Sequence, residues 1–329
     1  MRNTIIKITA ICLSAFLFAG CSVFGNNQSG ANDYVVFQIG EQQIKQSEVL
    51  PLIIGQVDVF NESFGGNLFD SAIDNFSISD TIYNRLKSRT ALVFIAAAYA
   101  ESCGYELTLE DSNAVVLAAE EFTNNVDNSL GLSESDLEML FEKYRLAELG
   151  YYGSIDSQNI EISEDDGRVV KYSTINIYRL TDANAAYQKA VQAKYDLADG
   201  KDFATVAAQC SDTPATEVFA ARGELTPEAE KIVFSLASGE NSDIYATDNA
   251  YCITHCFTSK DPVLSEAKRK QLLQESINAS YIQGLKDYLA DYPLVWNDDA
   301  WDALLVDIEK YDIGVNFYKI YKQYFSELV

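Results

Sequence analysis

Apolar and polar positions fall into two regimes along the chain. The run 34–40 (YVVFQIG) is β-rich and ends in Gly40, and a helical period takes over from about Ser47. Ser79 or Asp80 caps a helix through Ala100, whose stripe includes Leu92, Ile95, Ala96 and Tyr99 and which Gly104 stops. Thr108 with Asp111 and Ser133 with Asp136 open two more helices, the second running to about Tyr151. The polar, acidic stretch 154–167 reads as a boundary.

From Arg168 the pattern becomes mixed. VVKYSTINIYRL alternates as a strand, Thr181 or Asp182 caps a helix ending at Gly200, and DFATVAAQC is a short helix. Thr226-Pro227 starts a further helix, with Pro in the permitted first position, and Gly239 ends it. IYAT and YCITHCFT read as strands. Beyond Asp261 helix returns: 265–292, then a Pro/Trp corner at 293–296 and helices near 299–310 and 316–328. No internal repeat or low-complexity tract interrupts this plan. Its 329 residues suggest two domains.

Charge narrows the function. Only 24 Lys and Arg face 49 Asp and Glu, a formal net charge of −25. Such a surface repels phosphate backbones, which excludes nucleic acid as a partner. It repels anionic lipid as well, so membrane attachment needs its own device. The N-terminus supplies one: Arg2 and Lys7 precede an apolar stretch, Ile8 to Ala19, too short to span a bilayer. Leu17-Phe18-Ala19-Gly20-Cys21 resembles a bacterial lipobox, which implies cleavage after residue 20, lipidation of Cys21 and an extracytoplasmic protein held at the bacterial cell membrane. Residues 21–33 would then be a flexible tether.

The remaining cysteines, Cys103, Cys210, Cys252 and Cys256, are too sparse for a disulfide scaffold. On a strand, Cys252 and Cys256 stand about 13 Å apart, beyond disulfide reach, and His255, the one histidine, points to the opposite face. No metal site is expected there, and a Cys210–Cys252 bond stays open. The acidic runs Glu120-Glu121 and Glu164-Asp165-Asp166 lack calcium-loop spacing and read as solvated surface. The C-terminal Tyr318, Tyr321 and Phe325 read as core, or as a surface for unfolded chains if exposed.

The segment DLADGKDFATVAAQCSD, followed by GELTPEAEKIVFSLASGENSDIYATDNAYCITHCF, resembles the parvulin-type peptidyl-prolyl isomerase domain over about 168–260. The flanks, 34–165 and 261–329, resemble in arrangement the SurA- and PrsA-like foldases. The resemblance implies an α+β fold in which N- and C-terminal segments form a helical chaperone-like domain. A parvulin-like domain, a small antiparallel sheet flanked by helices, is inserted between them. It also implies a folding factor that binds unfolded or newly secreted polypeptides and uses no cofactor. In parvulins two strand histidines and a Cys or Asp form the polar network. Here those positions are Asn176, Cys252 and Thr213, and Ser211 and Asp212 beside them are expected, with Leu225 and Ala229, to contact the bound peptide. Of the positions that build the proline pocket, one is Leu225, and the aromatic wall is replaced by Ala229. Isomerase activity is therefore expected to be reduced or lost. The alternatives are an active isomerase using Asn176 and Cys252, and a non-chaperone scaffold or binding lipoprotein.

Overall fold

A computed structural model describes residues 33–64, 72–73, 76–127, 131–157, 160–306, 308 and 313–325. The expected export signal, the lipidated Cys21 and all but the last residue of the tether lie outside these. No helix among the described residues is long and apolar enough to cross a membrane. The chain divides into two compact units, one from the described parts of Met1–Ala147 and Leu289–Val329, the other Glu148–Tyr288. The first unit is thus discontinuous in sequence, and the second is inserted into it.

The first unit opens with β1 (Val35–Ile39) and β2 (Gln42–Lys45), an antiparallel pair turning at Gly40. Gly40 has φ +58°, and a Cβ there would meet Cδ1 of Tyr292 at 3.0 Å, so both conformation and space call for glycine. Next come α1 (Gln46–Phe64), a two-stranded pair of β3 (Ala72–Ile73) and β4 (Phe76–Ser77), α2 (Ile78–Ser102), α3 (Leu109–Asn125) and α4 (Glu134–Ser157). Thr108 and Asp111 cap α3 reciprocally, side chain to backbone in each direction, and Ser133 with Asp136 does the same for α4. α4 outruns its expected end at Tyr151 by six residues.

In the second unit β5 (Val169–Tyr178) leads into α5 (Ala183–Ala198), α6 (Phe203–Cys210), β6 (Val218–Ala221) and α7 (Pro227–Val233). Then follow β7 (Tyr245–Ala246), β8 (Ala250–Thr258) and α8 (Pro262–Asp291). The sheet is antiparallel in the order β6-β5-β8-β7. Asp182, Asp202 and Thr226 cap the three helices α5, α6 and α7 through side-chain oxygens. α7 ends at Val233 rather than at Gly239, which instead turns the chain with φ +85°. One face of the sheet (Ile175, Ile177, Ile253) packs on Ala186, Ala190 and Leu197 of α5 and on Phe203 and Val206 of α6. Tyr151 joins α4 to α8 inside this unit: its hydroxyl donates to Asn278 Oδ1 at 2.8 Å and its ring meets Tyr281 edge-on at 5.3 Å. That tertiary anchor explains why α4 continues.

The chain then returns to the first unit through β9 (Leu294–Trp296), α9 (Asp298–Leu305) and α10 (Phe317–Phe325). The expected Pro/Trp corner is a strand, pairing antiparallel with β1 as Phe37↔Trp296. α10 fills the helical core: Phe317 stacks on Phe141 at 4.6 Å, and Tyr321 lies 4.5 Å from Tyr144. The C-terminal aromatics are therefore core, with Tyr321 and Phe325 buried. Gly55 of α1 lets α10 approach, since a Cβ at Gly55 would sit 3.2 Å from the Tyr318 ring. Gly55→Val is expected to cost about 1–3 kcal/mol through overpacking. Urea unfolding followed by tryptophan fluorescence reads this directly, because both tryptophans, Trp296 and Trp301, belong to this unit.

Candidate functional site

β5 and β8 set the geometry. Their register places Asn176 opposite Cys252, Thr174 opposite Thr254 and Tyr172 opposite Cys256, all on the sheet face away from α5 and α6. Ile175, Ile253 and His255 take the alternate positions and face those helices. His255 stacks on Phe203 at 5.1 Å, and its Nδ1 lies 2.8 Å from Asn241 Oδ1. Burial pushes its pKa down, so the one imidazole is a neutral, half-buried group on the face opposite Asn176.

The Cys252 thiol donates to Asn176 Oδ1 at 3.3 Å, and Asn176 Nδ2 donates to Thr213 Oγ1 at 3.1 Å. The three positions singled out in the sequence are thus one hydrogen-bonded chain. The loop after α6 holds Thr213 in place. Ser211 Oγ accepts the Asn176 backbone N–H at 3.1 Å, and the Asp212 N–H donates to the Asn176 carbonyl at 2.7 Å. The Asp212 carboxylate accepts the Tyr178 N–H at 2.7 Å and lies 3.1 Å from Lys189 Nζ. β6 pairs with β5 only over residues 169–172, so this loop supplies the missing partner beside Asn176. Ser211 and Asp212, expected among the peptide-contacting residues, spend their polar atoms on positioning.

Leu225 is half-buried against Val170, Ala220, Val233, Phe234 and Tyr172. Tyr172 packs on the same cluster and stands four residues, or about 13 Å, along β5 from Asn176. Ala229 is half-buried on the first turn of α7, where its N–H meets Thr226 Oγ1 at 3.4 Å. Neither touches the Asn176–Cys252–Thr213 chain.

Between these ends lies a hydroxyl set that the sequence reading did not single out. Tyr245 OH and Thr174 Oγ1 each lie 2.9 Å from Thr254 Oγ1. Strand alternation counted from Asn176 and Cys252 points to Thr174 and Thr254. Tyr245 comes from an edge strand of two residues, for which no local pattern exists. Burial raises the pKa of Tyr245 and of Tyr172, and these phenols stay neutral. It also raises that of the Cys252 thiol, against hydrogen bonds from Thr247 and Tyr245, which keeps the sulfur protonated near neutral pH. Asp212 is the charged group here: the Tyr178 N–H, then Lys189, hold its pKa below the usual carboxylate value despite some burial.

The face is therefore polar, with Cys252 held as the thiol, Tyr172 and Tyr245 as phenols, and hydrogen-bond donors and acceptors from Asn176, Thr213, Thr174 and Thr254. The thiols at Cys103, Cys210, Cys252 and Cys256 are free. The open Cys210–Cys252 pairing is corrected by the layering. Cys210 sits in the α6 core, its thiol donating to the Val206 carbonyl at 3.0 Å, while Cys252 lies on the far side of the sheet. No group of metal ligands occurs among the described residues. The acidic run at Glu164–Asp166 is exposed as expected and also ion-paired, Asp165 with Arg222 at 2.6 Å, while Glu121 accepts a hydrogen bond from Tyr324 at 2.6 Å.

Residues 174–257 match the rotamase family described as the PPIC-type PPIase domain. The second unit thus carries a parvulin-type peptidyl-prolyl isomerase domain, with the Asn176–Cys252 pair inside the matched stretch. The chain is similar to the PrsA peptidylprolyl isomerase of Bacillus cereus, at 20% identity over 73% of this chain and 97% of that one, TM-score 0.33. It is similar also to the foldase protein PrsA of Lactococcus lactis, at 15% identity over 83% and 98%, TM-score 0.33. A third similar structure belongs to the SurA-like chaperones of Campylobacter jejuni, at 11% identity over 80% and 98%, TM-score 0.25. No curated protein matches the chain.

Proposed function

We propose that this chain is an extracytoplasmic protein-folding factor of the peptidyl-prolyl isomerase family, anchored to the bacterial membrane through lipidated Cys21, that binds unfolded exported polypeptides and has lost most or all isomerase activity. One observation carries the reading: Asn176 and Cys252, at the positions where the family resemblance calls for imidazoles, form one hydrogen-bonded chain with Thr213. Prolyl isomerisation needs no covalent step, only preferential stabilisation of a twisted amide over a barrier of about 18–20 kcal/mol. Neutral hydrogen bonds contribute about 0.5–1.5 kcal/mol each, against 1.5–3 when one partner is charged. The polar face therefore retains the means to hold a peptide and little of the means to accelerate its rotation.

In this reading Leu225 and Ala229 contact the apolar side chains of the bound segment. Ser211 and Asp212 hold the loop that carries Thr213. Titrating a fluorescent prolyl peptide into the protein and its Leu225→Lys variant tests the contact. The variant is expected to bind at least about tenfold more weakly, since it sets a charge against the apolar surface at Val170 and Phe234. Suppression of aggregation of an unrelated denatured protein separates a folding factor from an inert scaffold, which would leave aggregation unchanged.

A further inference from the structure

Arginine is scarce in this acidic chain, and the structure uses most of what there is. Arg145, Arg168, Arg222 and Arg269 sit in ion pairs, and Arg179 donates to the Asp248 carbonyl while its guanidinium lies over the Tyr251 ring. The two remaining arginines among the described residues, Arg85 and Arg89, make no ion pair or hydrogen bond there. They are not scattered. They stand four residues apart on α2 and line one hollow of 540 Å³ with Thr81, Asn84, Ser88 and Phe60.

On a helix, positions 81, 85, 88 and 89 share a face, with neighbours about 5–6 Å apart. Two forked guanidiniums, two hydroxyls and an amide therefore surround a space with no acid among its described lining residues. Two acids of α1 have partners of their own: Asp58 accepts from Asn316 at 3.0 Å, and Glu62 lies 2.8 Å from Lys319 Nζ. In a chain with twice as many acids as bases, two adjacent arginines without an ion pair among the described residues make a local positive field. Guanidinium forks match planar and tetrahedral oxyanions bidentately, and hydroxyl and amide donors complete the coordination of phosphate oxygens.

We propose that the α1–α2 hollow binds a phosphate group, with Arg85 and Arg89 as its principal ligands and Thr81 and Asn84 as supporting donors, the Ser88 hydroxyl being spent on the Asn84 carbonyl at 2.9 Å. Phe60 gives the hollow one apolar wall, which suits a phosphate ester carrying an organic substituent better than the bare ion. A phospholipid headgroup and a soluble phosphate ester share this chemistry, and the test distinguishes them.

The full chain is titrated calorimetrically with inorganic phosphate and with glycerol 3-phosphate. It is also spun down with phosphatidylglycerol or phosphatidylcholine vesicles. The comparison variants are Arg85→Gln/Arg89→Gln and, as a control of equal charge, Lys231→Gln/Lys322→Gln. Binding of glycerol 3-phosphate that weakens at least about tenfold in the arginine variant and not in the lysine variant supports the site with a soluble ester as ligand. Arginine-dependent sedimentation with phosphatidylglycerol alone supports it with the headgroup as ligand. Absence of binding to every probe, or equal weakening in both variants, overturns it. The substituted side chains are exposed, and an unchanged urea midpoint checks that the variants fold.

Discussion

In a protease-coupled assay, a prolyl test peptide is expected to isomerise within about tenfold of its uncatalysed rate, with no slope between about pH 5.5 and 8. The flat profile follows from the groups on the face. Asn176, Thr213, Thr174 and Thr254 do not titrate, and burial moves Cys252 and Tyr245 upward, away from this window. Asp212 is shifted down, so it is fully ionised throughout. The low rate follows from what replaced the imidazoles. Losing one preorganised donor from a polar catalytic site costs about 10²–10³ in rate, and under the proposed function Asn176 and Cys252 stand at both positions where the resemblance calls for imidazoles. Returning them together, as Asn176→His with Cys252→His, is expected to raise the rate and to introduce a step near the ordinary imidazole pKa of about 6.5. Substantial wild-type turnover, lost on Asn176→Ala or Cys252→Ala, would instead make the neutral pair a working centre.

Much of this site was legible before any coordinates. Alternation along VVKYSTINIYRL and YCITHCFT fixes which side chains share a face, so His255 is separated from Cys252 by counting alone. The caps at Asp182, offered beside Thr181, and at Thr226 are local chemistry and legible in the sequence, whereas the Asp202 cap of α6 was not singled out. What escaped depends on partners distant in sequence. β9 exists because β1, more than 250 residues earlier, offers it an edge, and Leu294-Val295-Trp296 alone has too few residues to show a period. α4 continues past Tyr151 because that side chain finds Asn278 and Tyr281. The roles of Ser211 and Asp212 are hidden likewise: whether a loop hydroxyl faces a ligand or a backbone depends on where β6 stops.

The largest stability effect is expected at a pair that the sequence does not announce, Asp111 of α3 and Arg145 of α4. Arg145 Nε lies 2.7 Å from Asp111 Oδ1, and both side chains are at least nine-tenths buried. Asp111 Oδ2 is also held by the Thr108 hydroxyl at 2.6 Å, so one carboxylate closes the α3 cap and ties α3 to α4. Burial works to raise the pKa of Asp111, but hydrogen bonds from Thr108 and Arg145 outweigh it, and the net shift is downward. The sign follows: a carboxyl stabilised in its ionised form contributes fully above its unfolded value of about 3.9 and loses that contribution as the pH falls through its lower folded value. Arg145→Met leaves an uncompensated buried carboxylate and is expected to cost about 3–5 kcal/mol. Asp111→Asn combined with Arg145→Met removes the orphaned charge while keeping an acceptor for Thr108, so the double variant should be more stable than Arg145→Met alone. Tryptophan fluorescence during urea unfolding reports on this unit through Trp296 and Trp301. Additive losses in the two single variants and their combination would mean that the contact, however well formed, carries no coupling energy, and that the cap rather than the ion pair holds α3 in place.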